Sequence, residues 1–529
     1  MEILAGLSSA DQAILNPADS LTGGANVRVL EATQRHGVKM KADSLIIPLL
    51  LGLLAGCAVG PDYQRPSALK SQPMPDSFAG AGTNAPPASA SPTNGPAWKP
   101  AAPAADHPRG PWWEAFGDQE LNRLEALAAA DNQSLTAQLA RLDQARALVK
   151  IARSSFFPQL SASPTVTRQR TSANAPVNGQ SAGQAYWFDT FTLPADLSWE
   201  LDLWGRIRRQ TESAKALFAA TGDDLESLRL SVQAEVASDY AILRALEAER
   251  ALLMDTIKAY QRSLELTQNR RKGGIASDLD VFQAQTQLRS AEAQVPAVDL
   301  QHEDLVHALA VLCGQPASRF QVAPAQSRTD TVPSVPPGLP SELLERRPDI
   351  AAAERRMAAA NADIGVATSA FYPDVVINGL AGFQSVSTST LLDWPSRFWS
   401  FGPSLDLPLF TGGRNRAQLT VARRAYDEAV ANYRQTVLTA IQEVEDQLSA
   451  QRLLAAQLDA QKAALESARH TLDIANNRYQ AGLVTYLEVA IAQAAALNQE
   501  SAVVQLQGQD RVALIGLIKA LGGKWEGAG

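Results

Sequence analysis

The chain of 529 residues has few cysteines and no long apolar run. Its two cysteines, Cys57 and Cys313, lie in unrelated contexts, so a disulfide framework is not expected. No stretch of about 20 apolar residues occurs, so the sequence predicts no transmembrane helix. The net charge of −8 gives no reason to expect a nucleic-acid surface. Hydrophobic residues make up 46% of the chain, which excludes global disorder.

Residues with the spacing of a catalytic or metal site are also missing. His302 and His307 are separated by about 140° around a helix, whereas a zinc-binding helix needs histidines four residues apart. The segment Gly412-Gly413-Arg414 lacks the lysine of a phosphate loop and is better interpreted as a bend from strand into helix. Cys313 precedes Gly314 at a predicted helix end, which favours a small buried residue over a nucleophile. We therefore expect no enzyme activity, no metal and no cofactor.

The N-terminal region resembles a lipoprotein targeting signal. Leu45–Ala55 is an apolar run too short to span a membrane, and Lys39 and Lys41 supply its positive flank. The run ends in Leu54-Ala55-Gly56-Cys57, which resembles a bacterial lipobox. We predict a signal peptide over residues 40–56 and a covalent lipid on Cys57, and we interpret residues 1–39 as an extension from a mis-called start. The alternative is a buried cysteine in an ordinary leader.

A long internal duplication follows. Three glycine pairs share one offset (413 − 205, 482 − 274 and 522 − 314 each give 208): Gly205/Gly413, Gly274/Gly482 and Gly314/Gly522. A period kept over so long a stretch indicates a duplicated structural unit. We predict an extended, proline-rich lipidated arm over residues 57–111, a first repeat over 112–316, a linker over 317–340 and a second repeat over 341–529.

Both repeats contain segments with strand periodicity. Apolar and polar residues alternate in Trp187–Trp199 and in Trp399–Leu409, and aromatic residues lie near the segment ends. Such alternation over about 10 residues is typical of an outer-membrane strand. Leu160–Arg168 and Asp374–Gln384 are weaker candidates for the partner strands. The alternative is the edge of a soluble sandwich, which periodicity alone does not exclude.

Long helical runs follow the strands. Residues 206–295 and 409–529 contain no proline, and the three- and four-residue spacing of their apolar residues suits a coiled-coil seam. Each run is interrupted once, at Lys272-Gly273-Gly274 and at Gln480-Ala481-Gly482, which predicts tight turns in antiparallel hairpins. The helix predicted over Arg206–Arg271 would be about 100 Å long. A compact domain does not require such a length.

The number of strands predicts an oligomer. An open four-stranded sheet cannot lie in lipid, because its edges leave backbone N–H and C=O groups unpaired. Closed bacterial barrels have at least about eight strands. Two copies would give a barrel filled by its own side chains, whereas three would enclose a water-filled lumen. The serine, threonine and aspartate faces suit a wet lumen, so we favour three copies.

Motifs spread along the mature chain match one known family. They are Cys57-Ala58-Val59-Gly60-Pro61-Asp62-Tyr63, Trp112-Trp113 with Phe116, Leu197–Arg206, Arg346–Ile350, Pro408-Leu409-Phe410 with Gly412-Gly413-Arg414, and Arg478–Leu483. By these motifs, which cover nearly everything after residue 56, the chain resembles the TolC-type outer-membrane factors. The resemblance is specifically to the NodT/OprM-like efflux lipoproteins.

The resemblance implies an α+β membrane protein that forms a homotrimer. A twelve-stranded β-barrel, with four strands from each chain, would sit in the outer membrane and continue into a long periplasmic α-helical barrel. The implied partners are a periplasmic adaptor, an inner-membrane pump of the RND type and outer-membrane lipid. Such proteins pass drugs or other small molecules out of the cell without chemistry of their own.

The resemblance also assigns roles to the hairpin tips. The residues of the adaptor-facing tips would be Arg271, Gly274, Arg478 and Gly482. Leu487 falls where relatives narrow the closed entrance. One turn further, close relatives often carry an aspartate where this chain has Ile491, which puts an acidic ring at that level in doubt. Glu488 and Asp280 are the nearest carboxylates that would replace it.

Two other functions stay open from the sequence. One is an outer-membrane duct for protein export. The other is a lipid-anchored structural coiled-coil protein of the periplasm, whose strands form a soluble cap. The lipobox and the family motifs favour small-molecule efflux over both.

Overall fold

The computed structural model describes residues 58–70, 73–75, 77–79, 110–174, 185–324, 333, 335 and 342–523. All of them belong to one compact unit, Gly56–Gly529. The predicted extension, the signal peptide and the lipid site Cys57 lie outside the described residues. Among the helices within these ranges, none combines the length and the apolarity needed to cross a membrane.

The elements of the first repeat recur in the second. The first repeat contains a 3-10 helix at Trp112–Phe116, then α1 (Gln119–Asp131), α2 (Gln133–Ser154), β1 (Gln159–Ala162), β2 (Thr165–Arg170), β3 (Trp187–Glu200), α3 (Arg206–Lys272) and α4 (Asp278–Leu312). The second contains α5 (Leu343–Arg346), α6 (Pro348–Ser369), β4 (Asp374–Ser385), β5 (Arg397–Asp406), α7 (Arg414–Gln480) and α8 (Tyr486–Ala520). Short 3-10 helices at Ala317–Arg319 and Trp394–Ser396 complete the described elements. The mixture of long helices with a small sheet confirms the α+β class.

The long helices preserve the sequence offset residue by residue. Helices α3 and α7 each have 67 residues, and α4 and α8 each have 35. Their first and last residues differ by the same 208 positions (414 − 206, 480 − 272, 486 − 278 and 520 − 312). The predicted helical hairpins are therefore confirmed, and α3 ends at Lys272, one residue beyond the predicted Arg271.

Glycines with positive φ make the bend from strand into helix. Gly205 precedes α3 with φ 80°, and Gly412 and Gly413 precede α7 with φ 60° and 88°. Glycine adopts this left-handed region without the penalty that a Cβ imposes. Before α3, the Asp202 carboxylate also accepts hydrogen bonds from the N–H groups of Ile207 and Arg208, at 3.0 and 2.9 Å. The predicted bend at Gly412-Gly413 is confirmed.

The end of each hairpin is tied to the start of its own repeat. The Asn132 side-chain amide, between α1 and α2, donates to the carbonyl of Leu312 at 2.8 Å. The Arg347 guanidinium, between α5 and α6, donates to the carbonyl of Ala520 at 3.1 Å. Leu312 and Ala520 are equivalent in the duplication, since both are the last residues of their helices. Two different side chains therefore bind equivalent carbonyls at the helix ends, where no intrahelical N–H is available.

All strands form one antiparallel sheet, in which β1 and β2 both pair with β3, β3 pairs with β4, and β4 with β5. The strand predicted over 160–168 is interrupted between Ala162 and Thr165, where Pro164 has no N–H to donate. The strand predicted to end at Leu409 ends at Asp406, since Asp406 already pairs with the first residue of β4 and Pro408 follows. Because β1 and β2 lie end to end beside β3, the sheet is four strands wide.

The helical segment before the first strands is divided into two helices. Helix α1 ends and α2 begins at Asn132, whose backbone is extended (φ −63°, ψ 120°). The Asn132 side chain accepts a hydrogen bond from the N–H of Leu135 at 3.0 Å and so caps α2. An asparagine in mid-pattern was the available signal for this break.

The N-terminal arm lies along the helices, as an extended segment. The N–H of Val59 donates to the carbonyl of Trp204 at 3.0 Å, next to the bend that starts α3. Gly60, at φ 102°, passes so close to α6 that a Cβ on it would lie 2.5 Å from Cα of Gly365. Asp62 forms an ion pair with Arg209 at 2.7 Å. The described part of the arm therefore starts where the sheet meets the helices.

Two apolar cores surround the hairpin bases. The first contains Trp112, Leu124, Val236, Leu243, Cys313 and Ile515. The second contains Ile350, Met357, Tyr433, Val437, Val444 and Leu517. Val236 and Val444 are equivalent positions (444 − 236 gives 208), and both are fully buried. Burial also raises the pKa of the Cys313 thiol to about 11, which agrees with its expected role as a small buried residue.

Candidate functional site: the two-faced sheet and the hairpin tips

One face of the sheet is mostly apolar. Residues paired across strands point to the same face, and the register places Leu160, Leu197, Gly379 and Phe401 in one row. A second row contains Ala162, Ala195, Ala381 and Trp399. Trp399 and Phe401 are 78% and 67% exposed. So large an exposed apolar surface indicates contact with lipid or with another chain.

The opposite face is mostly polar. One of its rows contains Ser161, Asp196, Leu380 and Ser400. The Asn378 amide donates to the Ser404 hydroxyl at 2.8 Å, and the Gln384 amide to the Thr192 hydroxyl at 3.4 Å. These side chains can hydrogen-bond with water, so this face is suited to a wet interior.

Both edges of the sheet are unpaired within the described chain. On one side the edge consists of β1 and β2, and on the other side it is β5. Unpaired edge groups are costly in lipid, where no water replaces the missing hydrogen bonds. The sheet therefore needs a further chain on each edge if it lies in a membrane.

The hairpin tips are tight turns, as predicted. Gly274 and Gly482 have φ 74° and 76°, and their N–H groups donate to the carbonyls of Arg271 and Tyr479 at 2.9 and 3.0 Å. A Cβ on Gly274 would meet nothing within 4 Å. The glycine is therefore required by the backbone conformation and not by lack of space.

The equivalent tip arginines point to different partners. Arg270, at the end of α3, donates to the carbonyl of Gln480 at 3.0 Å and lies 4.9 Å from the Tyr479 ring centre. Its counterpart Arg478 (478 − 270 gives 208) instead forms an ion pair with Glu488 at 3.4 Å. Arg271 is ion-paired with Asp278 on its own tip. Arg270 thus connects the two tips, whereas Arg271 and Arg478 each stay within one hairpin.

A polar network just above the turns also joins the two hairpins. The rings of Tyr479 and Tyr486 pack edge to face at 5.5 Å. The Tyr486 hydroxyl donates to Gln493 at 3.0 Å and accepts from Ser263 at 3.2 Å, and the Tyr479 hydroxyl donates to Thr267 at 3.3 Å. Sequence reasoning missed this network. The available signal was the loss of repeat symmetry, because Arg271 and Asp278 occupy the equivalent positions in the first repeat.

Asp280 is fully engaged at the start of α4. Its carboxylate accepts from the N–H and hydroxyl of Ser277, both at 2.8 Å, and from the N–H of Tyr486 at 3.1 Å. Burial opposes ionisation of Asp280, but these hydrogen bonds outweigh it and lower its pKa. The pairing gives Asp280 a capping role beside the predicted gate role.

The remaining gate candidates lie close together on α8. Leu487 and Ile491 are exposed and one turn apart. Ile491 and Glu488 line a groove between α7 and α8, with Ile474 and Arg478 on its other side. The structure thus brings Arg478, Glu488 and Ile491 together, while Leu487 is not part of that groove. Their roles in gating and adaptor docking stay predictions.

No cluster of three or more potential metal ligands occurs within the described ranges. His302 lies 3.6 Å from the Glu247 carboxylate, on neighbouring helices.

Comparison with known proteins assigns the chain to a family. The family model for outer membrane efflux proteins matches residues 124–315 and again 339–523, so the match itself is repeated. The chain belongs to the outer membrane efflux protein family. It is 35% identical over 487 residues to the outer membrane protein OprJ of Pseudomonas aeruginosa, covering 92% of this chain and 96% of OprJ.

Two further relatives extend the comparison. The toluene efflux pump outer membrane protein TtgC of Pseudomonas putida is 32% identical over 488 residues, covering 92% of this chain and 96% of TtgC. Among solved structures, the CmeC outer membrane channel of Campylobacter jejuni superposes with a TM-score of 0.76 at 26% identity. That superposition covers 89% of this chain and 96% of CmeC. The fold is therefore that of the outer-membrane channels.

Proposed function

We propose that this protein is the outer-membrane exit channel of a tripartite efflux pump. It passively conducts drugs or other small molecules from a periplasmic adaptor and an inner-membrane pump to the exterior. The observation that carries the proposal is the sheet, whose two faces differ and whose edges are open, attached to two long helical hairpins. The name of TtgC, a toluene efflux pump outer membrane protein, supports the same function, and the name of OprJ supports the outer-membrane location.

Three contacts between the repeats argue that copies of the chain close into a ring. Within the chain, β3 pairs with β4, and α3 packs against both α6 and α8. If the second repeat made the same contacts as the first, β5 would pair with the edge formed by β1 and β2, and α7 would pack against α2 and α4. No comparable contacts occur in the described part of the chain. The next copy would supply all three at once.

Three copies satisfy the closure requirement best. The sheet of each chain is four strands wide, so three chains form a twelve-stranded barrel, which is wide enough for a water-filled lumen. The polar face then lines the lumen and the apolar face contacts lipid. The long hairpins continue the same ring as a helical barrel into the periplasm.

The position of the arm supports a lipid anchor on Cys57. Val59 is hydrogen-bonded to Trp204 at the junction of sheet and helices. In the proposed barrel this junction faces the periplasmic side of the membrane. Acyl chains on Cys57 would therefore reach the inner leaflet directly, and two or three chains give stable anchoring.

The tips are the proposed contact with the adaptor and the pump. Gly274 and Gly482 form the ends farthest from the sheet, with Arg271 and Arg478 beside them. Leu487, Glu488 and Ile491 on α8 are the proposed narrowing of the entrance. An RND-type pump remains the expected inner-membrane partner.

Planar-bilayer conductance of the purified protein tests the duct. We expect trimers by native mass spectrometry and steady ion conductance. Trp399→Asp places a carboxylate against lipid and should impair insertion, whereas Ser400→Asp, the adjacent residue on the polar face, should insert and conduct. A trimer that never conducts would favour a structural coiled-coil protein. Equal behaviour of the two variants would contradict the assignment of the faces.

A further inference from the structure

At the end of the sheet far from the helices, arginines and tryptophans lie on the apolar face or next to it. We name Arg168, Arg170, Trp187, Trp394 and Arg397 the distal cluster. Arg168 and Arg170 are at the end of β2, Trp187 is the first residue of β3, and Arg397 is the first residue of β5. Trp394 lies in the 3-10 helix just before β5.

The register assigns these arginines to the apolar face. Arg170 pairs with Trp187, and two residues along the same strand Arg168 pairs with Asp189. Arg397 pairs with Phe383, which itself pairs with Leu193. An arginine on the lipid face of a barrel is strongly destabilising at the bilayer midplane and costs little at the interface. These arginines therefore mark the level of lipid head groups.

The cluster retains unneutralised positive charge. Arg168 has one carboxylate nearby, that of Asp189 at 3.8 Å, and the two side chains are 71% and 43% exposed, so water screens the pair. Within the described residues, Arg170 and Arg397 form no ion pair. Their guanidinium groups lie over the rings of Trp187 and Trp394. At the opposite end of the sheet, by contrast, Arg206 and Arg208 are paired with Glu200 and Asp202.

The strand order divides the cluster between the two open edges. Arg168 and Arg170 are on one edge strand, and Arg397 is on the other. Closing the barrel brings the β2 edge next to β5 of a second copy, so Arg397 of the partner subunit would lie near Arg170. Each junction between subunits would then present three arginines and two tryptophans at the outer surface.

We propose that each junction binds the phosphate groups of a bis-phosphorylated glycolipid of the outer leaflet, of the lipid A type. Guanidinium groups bind phosphate oxygens in a bidentate manner. The arginine stems and the tryptophan rings cover the adjoining sugar and acyl chains. The proposal rests on the proposed outer-membrane barrel, because the site is completed only by closure.

Native mass spectrometry of the full-length trimer in detergent tests this site, with bisphosphoryl lipid A as the probe. We expect up to three lipid molecules per trimer, and binding about tenfold weaker or worse for the double variant Arg170→Gln/Arg397→Gln, which loses two charge-assisted contacts. Arg424→Gln is the matched control, since Arg424 is 80% exposed on α7, which follows the end of the sheet opposite the distal cluster. The control should bind like the unmodified protein.

Other probes separate the possible sources of phosphate. Dephosphorylated lipid A and phosphatidylglycerol should bind poorly, and inorganic phosphate should not displace bound lipid A. Unchanged binding by the double variant would overturn the proposal, as would equal affinity for phosphatidylglycerol or displacement by inorganic phosphate. Conductance of the same samples distinguishes the two failures. A conducting trimer without lipid A preference refutes only the lipid site, whereas a protein that neither assembles nor conducts refutes the duct.

Discussion

Helices α3 and α7 have the same length and the same register in the duplication, but their surroundings differ. Helix α3 is enclosed by α2, α4, α6 and α8, whereas α7 packs mainly on α6 and α8. Leu230 on α3 is 5% exposed, and its equivalent Leu438 on α7 (438 − 230 gives 208) is 50% exposed. Duplication therefore fixed the backbone of the two hairpins and left the packing of one of them incomplete.

The incomplete side of α7 has a matching surface elsewhere in the molecule. Val421, Leu438 and Leu453 are exposed along α7, and Leu148 and Ile151 are exposed on the outer side of α2. Large exposed apolar side chains on both helices indicate surfaces that contact another chain. Helix α2 of a second copy would cover α7 just as α6 covers α3 within the chain.

The repeats should differ in stability where each hairpin end is tied down. Arg347→Met removes the cation that pairs with the carboxylates of Asp349 and Glu443 at 2.6 Å, and it removes the hydrogen bond to the Ala520 carbonyl. Because the two carboxylates are 31% and 46% exposed and remain hydrated, we expect a loss of about 2–3 kcal/mol in the free energy of unfolding. Asn132→Ala removes a neutral cap and one hydrogen bond, for a loss of about 1–2 kcal/mol. Thermal and urea unfolding, followed by far-UV circular dichroism, measure both losses.

Equal losses for Arg347→Met and Asn132→Ala would show that charge adds nothing to the second tie. A matched control is Arg424→Met, because Arg424 forms an exposed ion pair with exposed Asp427 at 2.8 Å. Such a surface pair should change the free energy of unfolding by less than about 1 kcal/mol.

The pair Leu230 and Leu438 separates folding from assembly. Leu230→Ala removes a buried side chain and should lower the free energy of unfolding by about 2–5 kcal/mol. In an isolated chain Leu438→Ala should cost much less, because that side chain is half exposed. If a second copy covers α7, however, Leu438→Ala should weaken the trimer. Native mass spectrometry over a dilution series detects this weakening.

Two results would contradict this assignment for Leu438. One is a trimer of unchanged stability in Leu438→Ala, or better in Leu438→Asp. The other is an equal loss of stability for Leu230→Ala and Leu438→Ala in protein shown to be monomeric. Either would mean that the open side of α7 is not an interface between copies.

The sequence was sufficient for the long elements. The proline-free runs and the glycine offset predicted the named ends of α3 and α7 to within one residue. Local sequence was enough because a continuous helix needs only regular spacing of apolar residues and a stop signal. The strands were less well predicted, since pairing partners decide where a strand ends. Asp406 ends β5 because β4 starts opposite it, at Asp374, which no local pattern reveals.

The tip contacts show what the sequence could not predict. The turns at Gly274 and Gly482 could be predicted because a left-handed backbone conformation selects glycine. Tyr479 and Tyr486 form their network with Ser263 and Thr267, more than 200 residues earlier in the chain. Such contacts depend on which hairpin faces which. Only the departures from repeat symmetry pointed to them.

The smallest expected difference between the repeats is in the local stability of the two hairpin tips. Asp280 and Glu488 are equivalent (488 − 280 gives 208), but Asp280 completes a capping box with Ser277, whereas the equivalent Thr485 has no side-chain cap. Asp280→Asn should therefore loosen its tip by about 1 kcal/mol, and Glu488→Gln, which breaks an exposed ion pair, by less than about 0.5 kcal/mol. Hydrogen–deuterium exchange of the two turns resolves these local losses.

The pH dependence of this difference follows from the lowered pKa of Asp280. Because the folded pKa lies below the ordinary 3.8, the stabilisation by Asp280 is fully present above that pH and is lost as the pH falls through the folded value. The exchange difference between the unmodified protein and Asp280→Asn should thus persist at pH 6 and shrink below about pH 3.8, after correction for intrinsic exchange rates. A difference of the same size at both pH values would mean that the shape of Asp280, and not its charge, holds the first tip in place against Tyr486.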